Sequence, residues 1–216
     1  MKKINTICFD LDGTLIDTNA IIVKSYQNAF KTHLKDISID EQTIINQIGP
    51  TLQEIFSQYT KSPFKIKALI TAYRDYYVKH EHDYFSLYDN VIPVLKILKD
   101  DGYNLAIVTS KFKAAAWPSF THYQLDQFFD TFIALDDVKN PKPSAEPVLK
   151  ALSAFDHVEG AIMIGDNQGD ILAGKNAGIY AAGVAWSIKG AEHLKAVNPD
   201  FMLDDMESLL TLLKKY

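Results

Sequence analysis

The chain has 216 residues, 47% hydrophobic and 23% charged, a composition that excludes disorder and fibrous repeats and permits one or two domains with cores of their own. Its 22 Lys and Arg against 27 Asp and Glu leave a formal charge of −5. That argues against a nucleic-acid binder, which needs a basic face, though not against a small anionic substrate in a locally positive pocket. The one cysteine, Cys8, forms no internal disulfide and suits a reducing compartment. The apolar stretch after the basic first residues is cut by Asp10 and Asp12, and no run approaches the ~20 apolar residues of a membrane span. The expectation is a soluble, cytoplasmic protein with neither nucleic acid nor membrane as partner.

In chain order, a strand is predicted over 6–9, then consecutive helices over 19–31, 39–46, 52–59 and 64–79. From 91 onward the pattern alternates: helix 91–99, strand 105–108, helix 112–125, strand 132–134, helix 145–154, strand 161–164, helix 170–177, strands 181–184 and 201–203, and helix 206–214. Alternation of this kind gives βαβ crossovers, so the fold class is α/β, a doubly wound parallel sheet with helices on both faces. The helical block interrupts that pattern as an insertion. The domain reading is therefore 1–15 plus 90–216 as the α/β core and 16–89 as a small all-helical domain, with short hinges near 16–18 and 84–90. Gly102 and Gly178 stand where a helix ends in a left-handed residue. Pro118 falls inside a helical pattern and predicts a kink or restart.

In parallel sheets, ligands bind beyond the carboxyl ends of the strands. The first predicted strand is followed by Asp10-Leu11-Asp12-Gly13-Thr14-Leu15, the second by Thr109-Ser110-Lys111, the third by Asn140-Pro141-Lys142-Pro143, and the fourth by Gly165-Asp166-Asn167-Gln168-Gly169-Asp170. Carboxylates gathered at one point repel each other and imply a divalent cation. A hydroxyl and an ammonium beside that cation make a cradle for a phosphoryl group. Gly13 permits the tight turn that aims backbone N–H groups at a phosphate.

These motifs, in this order, resemble those of the haloacid dehalogenase superfamily over essentially the whole chain. The resemblance implies that Asp10 is the nucleophile forming a phosphoaspartyl intermediate and that Asp12 is the general acid/base. It implies that Thr109 and the backbone of Ser110 hold the phosphoryl oxygens and that Lys142 neutralises phosphate and nucleophile. Mg²⁺ would be held by Asp10, the backbone carbonyl of Asp12, and Asp166, with Asp170 in the outer shell orienting metal-bound water or Lys142. The helical block is similar to the C1-type cap of one subclass, and Gly49-Pro50-Thr51 corresponds to its substrate-touching loop. One branch fits more closely. Residues 48–52, 135–138, 183–190 and 199–203 resemble the PpaX-type pyrophosphatases, relatives of the phosphoglycolate phosphatases. The third motif departs from that pattern, reading Lys142-Pro143-Ser144-Ala145-Glu146-Pro147 where the branch has Lys-Pro-Asp-Pro-Glu-Pro; the lysine is kept.

Simpler readings compete at several positions. Helix caps and turn residues would explain any one of the four aspartates, but not all four at successive strand ends. Thr109 can cap the following helix as well as bind phosphate, and Lys142 taken alone reads as a solvated lysine. Cys8 reads as core. His80-Glu81-His82 invites a metal reading, but i and i+2 face apart on a helix. The aromatic set Tyr73, Tyr76, Tyr77, Tyr84, Phe85 and Tyr88 reads as packing. The expected function is a Mg²⁺-dependent phosphohydrolase with pyrophosphate favoured. A phosphoglycolate or other phosphomonoester phosphatase is the alternative. A sugar-phosphate mutase and a phospho-receiver module fit less well, the latter because receivers carry adjacent metal-binding acids on another strand.

Overall fold

The computed structural model describes residues 3–216. The chain divides into two compact units, Met1–Ile16 with Leu87–Tyr216, and Asp17–Ser86. Strands β1 (Thr6–Phe9) and β2 (Ile16–Asp17) lead into helices α1 (Asn19–His33), α2 (Glu41–Gln47), α3 (Leu52–Phe56) and α4 (Pro63–His80). After β3 (Ser86–Leu87) come α5 (Val91–Asp100), β4 (Asn104–Val108), α6 (Lys113–His122), β5 (Thr131–Ile133), α7 (Glu146–Leu152), β6 (Ala161–Gly165), α8 (Gln168–Asn176), β7 (Tyr180–Val184), α9 (Ala191–Lys195), β8 (Phe201–Leu203) and α10 (Met206–Leu213).

The larger unit holds a six-stranded sheet in the order β5-β4-β1-β6-β7-β8, parallel at every pairing. The chain winds outward from β1 through β4 to β5, then crosses back to β6 and winds the other way. β1 therefore sits at the topological switch point, where such sheets open a crevice beyond their carboxyl ends. All four residues of β1 are buried, as in a sheet covered on both faces. On one face Cys8, Ala106, Val108, Ile133 and Met163 cluster with Val148 and Ala151 of α7 and Ala173 of α8. The small residues there let α8 sit close. A Cβ at Gly174 would stand 2.9 Å from that of Met163 and 3.2 Å from that of Ala181.

Some expected boundaries move. Helix α6 runs through Pro118 without restarting. The ring forgoes one internal hydrogen bond, but Phe120 (2% exposed) and Trp117 pack on Phe132 at 4.9 and 5.4 Å between ring centroids. The helix ends at His122, and left-handed Gln124 turns the chain into a short 3₁₀ segment. Five-residue α9 has too little periodicity to be read from sequence. Gly102 and Gly178, just past α5 and α8, take φ of 81° and 73°. No helix among the described residues is long and apolar enough to cross a membrane.

The smaller unit is built around aromatic packing of α1 with α3 and α4. Tyr26 meets Tyr73 at 4.9 Å, Phe30 meets Tyr59 at 4.7 Å, and Tyr73 stacks on Tyr77 at 6.2 Å. Side-chain caps open three of its helices: Asp40 accepts from Thr43 N at the start of short α2, Thr51 from Glu54 N at the start of short α3, and Ser62 from Lys65 N at the start of the longer α4, which opens with Pro63. Such caps contribute about 1 kcal/mol each, which matters for helices too short to hold by propensity. His80 ends α4 with Nδ1 3.6 Å from Asp83 Oδ2, while the His82 ring lies against Phe85.

Candidate active site

The first motif turns back on itself directly beyond β1. The Leu11 carbonyl accepts from the N–H groups of Leu15 and Ile16, both at 3.0 Å, and Gly13 N–H donates to Ile16 O at 2.8 Å. Gly13 has φ of 80°, which only glycine adopts without strain. It is also where the chain passes Asp166: a Cβ there would lie 2.5 Å from Asp166 Oδ2. The glycine thus both makes the turn and leaves room for a carboxylate. From beyond β7, Trp186 Nε1 donates to Thr14 O at 3.3 Å and Ser187 Oγ donates to Asp166 O at 2.8 Å. Two further strand-end residues therefore tie down the turn and the acid.

Lys142 reaches the centre of the sheet's carboxyl edge and uses all three of its donors. Its Nζ donates to Asp10 Oδ1 at 2.7 Å, Asp170 Oδ1 at 2.5 Å and Val108 O at 2.8 Å. The loop that carries it is shaped by Glu146, whose carboxylate accepts from Lys139 N–H at 2.7 Å and from Asn140 N–H and Nδ2 at 2.9 and 2.8 Å. Where the sequence departs from the usual motif, Ser144 Oγ accepts from Glu146 N–H at 3.2 Å in the turn just ahead of α7. Asp170 is fixed on its other oxygen by Asn167 N–H at 3.0 Å, closing a capping box at the start of α8.

Asp10, Asp166 and Asp170 are all buried, and each offers a carboxylate oxygen within 4.8 Å of the others. Burial, outweighing the pull of Lys142, pushes Asp10 up to about 7. Burial, then the charges of Asp10 and Asp170, holds Asp166 well above the usual carboxylate range. Burial acts to lower Lys142, but the charges of Asp10 and Asp170 hold it above its ordinary value. Three buried carboxylates face one fully buried ammonium, with the partly buried Lys189 acting on Asp166 and Asp170 as well, and the set is still short of positive charge. Oxygen-only donors suit a hard divalent cation such as Mg²⁺, so the residues present fit such an ion. With both Asp170 oxygens engaged, Asp10 and Asp166 are the better placed to ligate directly.

Thr109 is buried, and its Oγ1 accepts from Lys111 N–H at 3.2 Å; Ser110 follows it, half-buried, in the same bend. Asp12 carries Lys111 Nζ at 3.2 Å from its Oδ1. These residues, with Asp10, Lys142, Asp166 and Asp170, gather at the carboxyl edge of the larger unit. Gly49, Pro50 and Thr51 belong to the smaller unit, between α2 and α3. There Thr51 is taken up locally: its N–H and Oγ1 donate to Glu54 Oε2 at 2.8 and 2.7 Å. Cys8, pushed up to about 12 by burial, is an inert core thiol.

Sequence reasoning missed the support given by Gly165. A Cβ there would lie 2.3 Å from both Cβ and Cγ of Asp170, so the bare backbone of β6 makes the space in which that carboxylate meets Lys142. Gly165→Ala is expected to destabilise the fold by about 1–3 kcal/mol, as overpacking does, and to lower kcat about tenfold or more. Urea unfolding and steady-state turnover would check this; wild-type values for both would mean that Asp170 does not depend on that contact.

A switch-point crevice that joins an acidic turn after β1, a hydroxyl after β4, a lysine before α7 and an acidic pair after β6 defines a haloacid dehalogenase-like hydrolase. The chain belongs to that family, whose haloacid dehalogenase-like hydrolase profile matches residues 7–184. Among individual relatives, it is 41% identical over 212 residues to the pyrophosphatase PpaX of Bacillus cereus (strain Q1), covering 98% of this chain and 97% of that protein. A haloacid dehalogenase-like hydrolase of Streptococcus pneumoniae superposes with a TM-score of 0.84 at 29% identity, covering 97% of this chain and 98% of that one. A protein of Haemophilus somnus described as a predicted phosphoglycolate phosphatase superposes at 0.87, covering 98% and 99%. At 24% identity that last likeness shows the fold alone.

Proposed function

We propose that this chain is a Mg²⁺-dependent phosphohydrolase that works through a phosphoaspartyl intermediate and favours inorganic pyrophosphate. The observation that carries the reading is Lys142 bridging Asp10 and Asp170 within 2.7 Å at the switch point, in a chain 41% identical to a pyrophosphatase along nearly its whole length. Asp10 attacks phosphorus, forming the acyl-phosphate bond as the bond to the leaving oxygen breaks. Asp12 supplies the proton to that oxygen and then takes one from the water that hydrolyses the intermediate. Thr109 Oγ1 and the Ser110 backbone hold the phosphoryl oxygens, while Lys142 offsets the charge of nucleophile and phosphate as they meet. Mg²⁺ held by Asp10, the Asp12 carbonyl and Asp166 would supply the remaining positive charge; Asp170 holds Lys142 in place. A cytoplasmic setting belongs to this reading and suits a chain whose single cysteine is buried.

The test is phosphate release with Mg²⁺ from pyrophosphate, 2-phosphoglycolate, β-glucose 1-phosphate and an aryl phosphate. Pyrophosphate is expected to lead in kcat/KM by tenfold or more, about 1.4 kcal/mol of transition-state preference. If 2-phosphoglycolate or another monoester leads, the pyrophosphatase reading fails and a phosphomonoester phosphatase takes its place.

A further inference from the structure

We propose that Lys111 is the residue that recognises a negatively charged leaving group, and so selects substrates such as pyrophosphate whose departing half is itself an anion. The proposal rests on the reading of Asp12 as the acid that protonates the leaving oxygen. If Asp12 meets that oxygen, an ammonium 3.2 Å from its carboxylate stands beside whatever the oxygen is attached to.

Lys142 and Lys111 differ in setting; a third lysine, Lys189, acts on Asp166 and Asp170 and donates to Asn167 Oδ1 at 3.1 Å. Lys142 has a side chain only 4% exposed, and its three donors serve Asp10, Asp170 and Val108. It is committed to the buried end, where the transferred phosphoryl binds. The side chains of Lys111 and Asp12 are 18% and 15% exposed and form the accessible edge of the cluster. Their 3.2 Å contact is also longer than the 2.7–2.9 Å of a tight charge-assisted bond. The Lys111 backbone is fixed at both ends, with its N–H on Thr109 Oγ1 at 3.2 Å and its carbonyl accepting from Leu135 N–H at 3.0 Å. The backbone from which the ammonium extends is therefore held in place, which limits where the ammonium can reach. Pyrophosphate brings two anionic halves into a site already rich in carboxylates. Lys142 serves one half, and Lys111, at the accessible edge beside Asp12, stands on the side where the other half departs.

The test compares 2-phosphoglycolate with ethylene glycol monophosphate. Both release alkoxides that need protonation, but only the first leaving group carries a charge. Lys111→Met is expected to lower kcat/KM for pyrophosphate and 2-phosphoglycolate at least tenfold more than for ethylene glycol monophosphate, and Lys111→Arg should recover most of the difference. Binding gives a second readout, since methylenediphosphonate should lose at least tenfold more affinity than methylphosphonate. Losses within threefold of each other across the substrates would overturn the proposal, because a lysine that only orients Asp12 slows all of them alike. Lys111→Gln repeats the comparison should the Met variant fail to fold. Wild-type preference for a monoester would sink the pyrophosphatase reading and leave the charged-against-neutral comparison intact.

Discussion

Asp10→Asn is expected to fold, to lose turnover by about 10⁴-fold or more (about 5.5 kcal/mol), and to gain stability when no divalent ion is present. The first effect follows from chemistry: an amide oxygen is a poor nucleophile, and no other carboxylate in the cluster can replace it. Asp166 is set back against Gly13, and Asp170 is engaged on both oxygens. The second effect follows from burial, which holds Asp10 at about 7 despite Lys142 at 2.7 Å. Its ionised form is therefore a net burden at pH 8, on the order of 2–4 kcal/mol, that a neutral isostere removes. Activity traded against stability in this way marks a charge kept for chemistry. Phosphate release and urea unfolding on the same preparation decide it. Retained turnover would remove Asp10 as nucleophile, and a large loss of stability would make the residue structural.

The strand ends were the most legible part of the sequence. Strands β1, β4 and β6 are short apolar runs followed at once by Asp10, Thr109 and Asp166, and in a parallel sheet those ends fall on one edge. Three local patterns thus placed Asp10, Thr109 and Asp166 together without any knowledge of long-range packing, whereas Lys142, in the loop between β5 and α7, was legible only from the order of the motifs. What the sequence hid were contacts without a period. The approach of Lys111 to Asp12 depends on how the bend after β4 is anchored to Leu135, and the support of Asp166 by Ser187 comes from a loop beyond β7. Neither is announced by composition or spacing.

Glycines show the same division. Gly13 was legible as a turn, because a left-handed residue after a strand is a local matter. That Gly13 and Gly165 also make room for the carboxylates of Asp166 and Asp170 is a question of volume, visible only in three dimensions. Short α9 and the continuity of α6 through Pro118 escaped for a related reason, since tertiary packing rather than local preference decides them.

Stability should fall as pH rises when divalent ions are absent, and Mg²⁺ should restore it most at high pH. Asp10 and Asp166 bind their protons more tightly in the folded state than in the unfolded chain. Below about pH 4 both states are protonated and the groups contribute nothing. As pH rises from about 4 to 7 the unfolded chain releases these protons first, so folding loses up to a few kcal/mol. Asp40, Glu146 and Asp205 act in the opposite sense: hydrogen bonds from N–H groups or side chains hold them low. Their stabilising contribution is present above their unfolded values and lost as pH falls through their folded ones, so metal-free stability should peak in the mildly acidic range. Mg²⁺ binds the ionised carboxylates, and at 100 times its dissociation constant it adds about 2.7 kcal/mol. The measurement is urea unfolding at pH 5.5 and 8.0, with chelator or Mg²⁺, followed by tryptophan fluorescence. Trp117 and Trp186, the two tryptophans of the chain, both lie in the larger unit, so the signal reports the part that carries the cluster. The Mg²⁺ increment should be larger at pH 8.0 and should largely vanish in Asp166→Asn. An increment equal at both pH values, or unchanged in that variant, would place the ion somewhere other than this cluster.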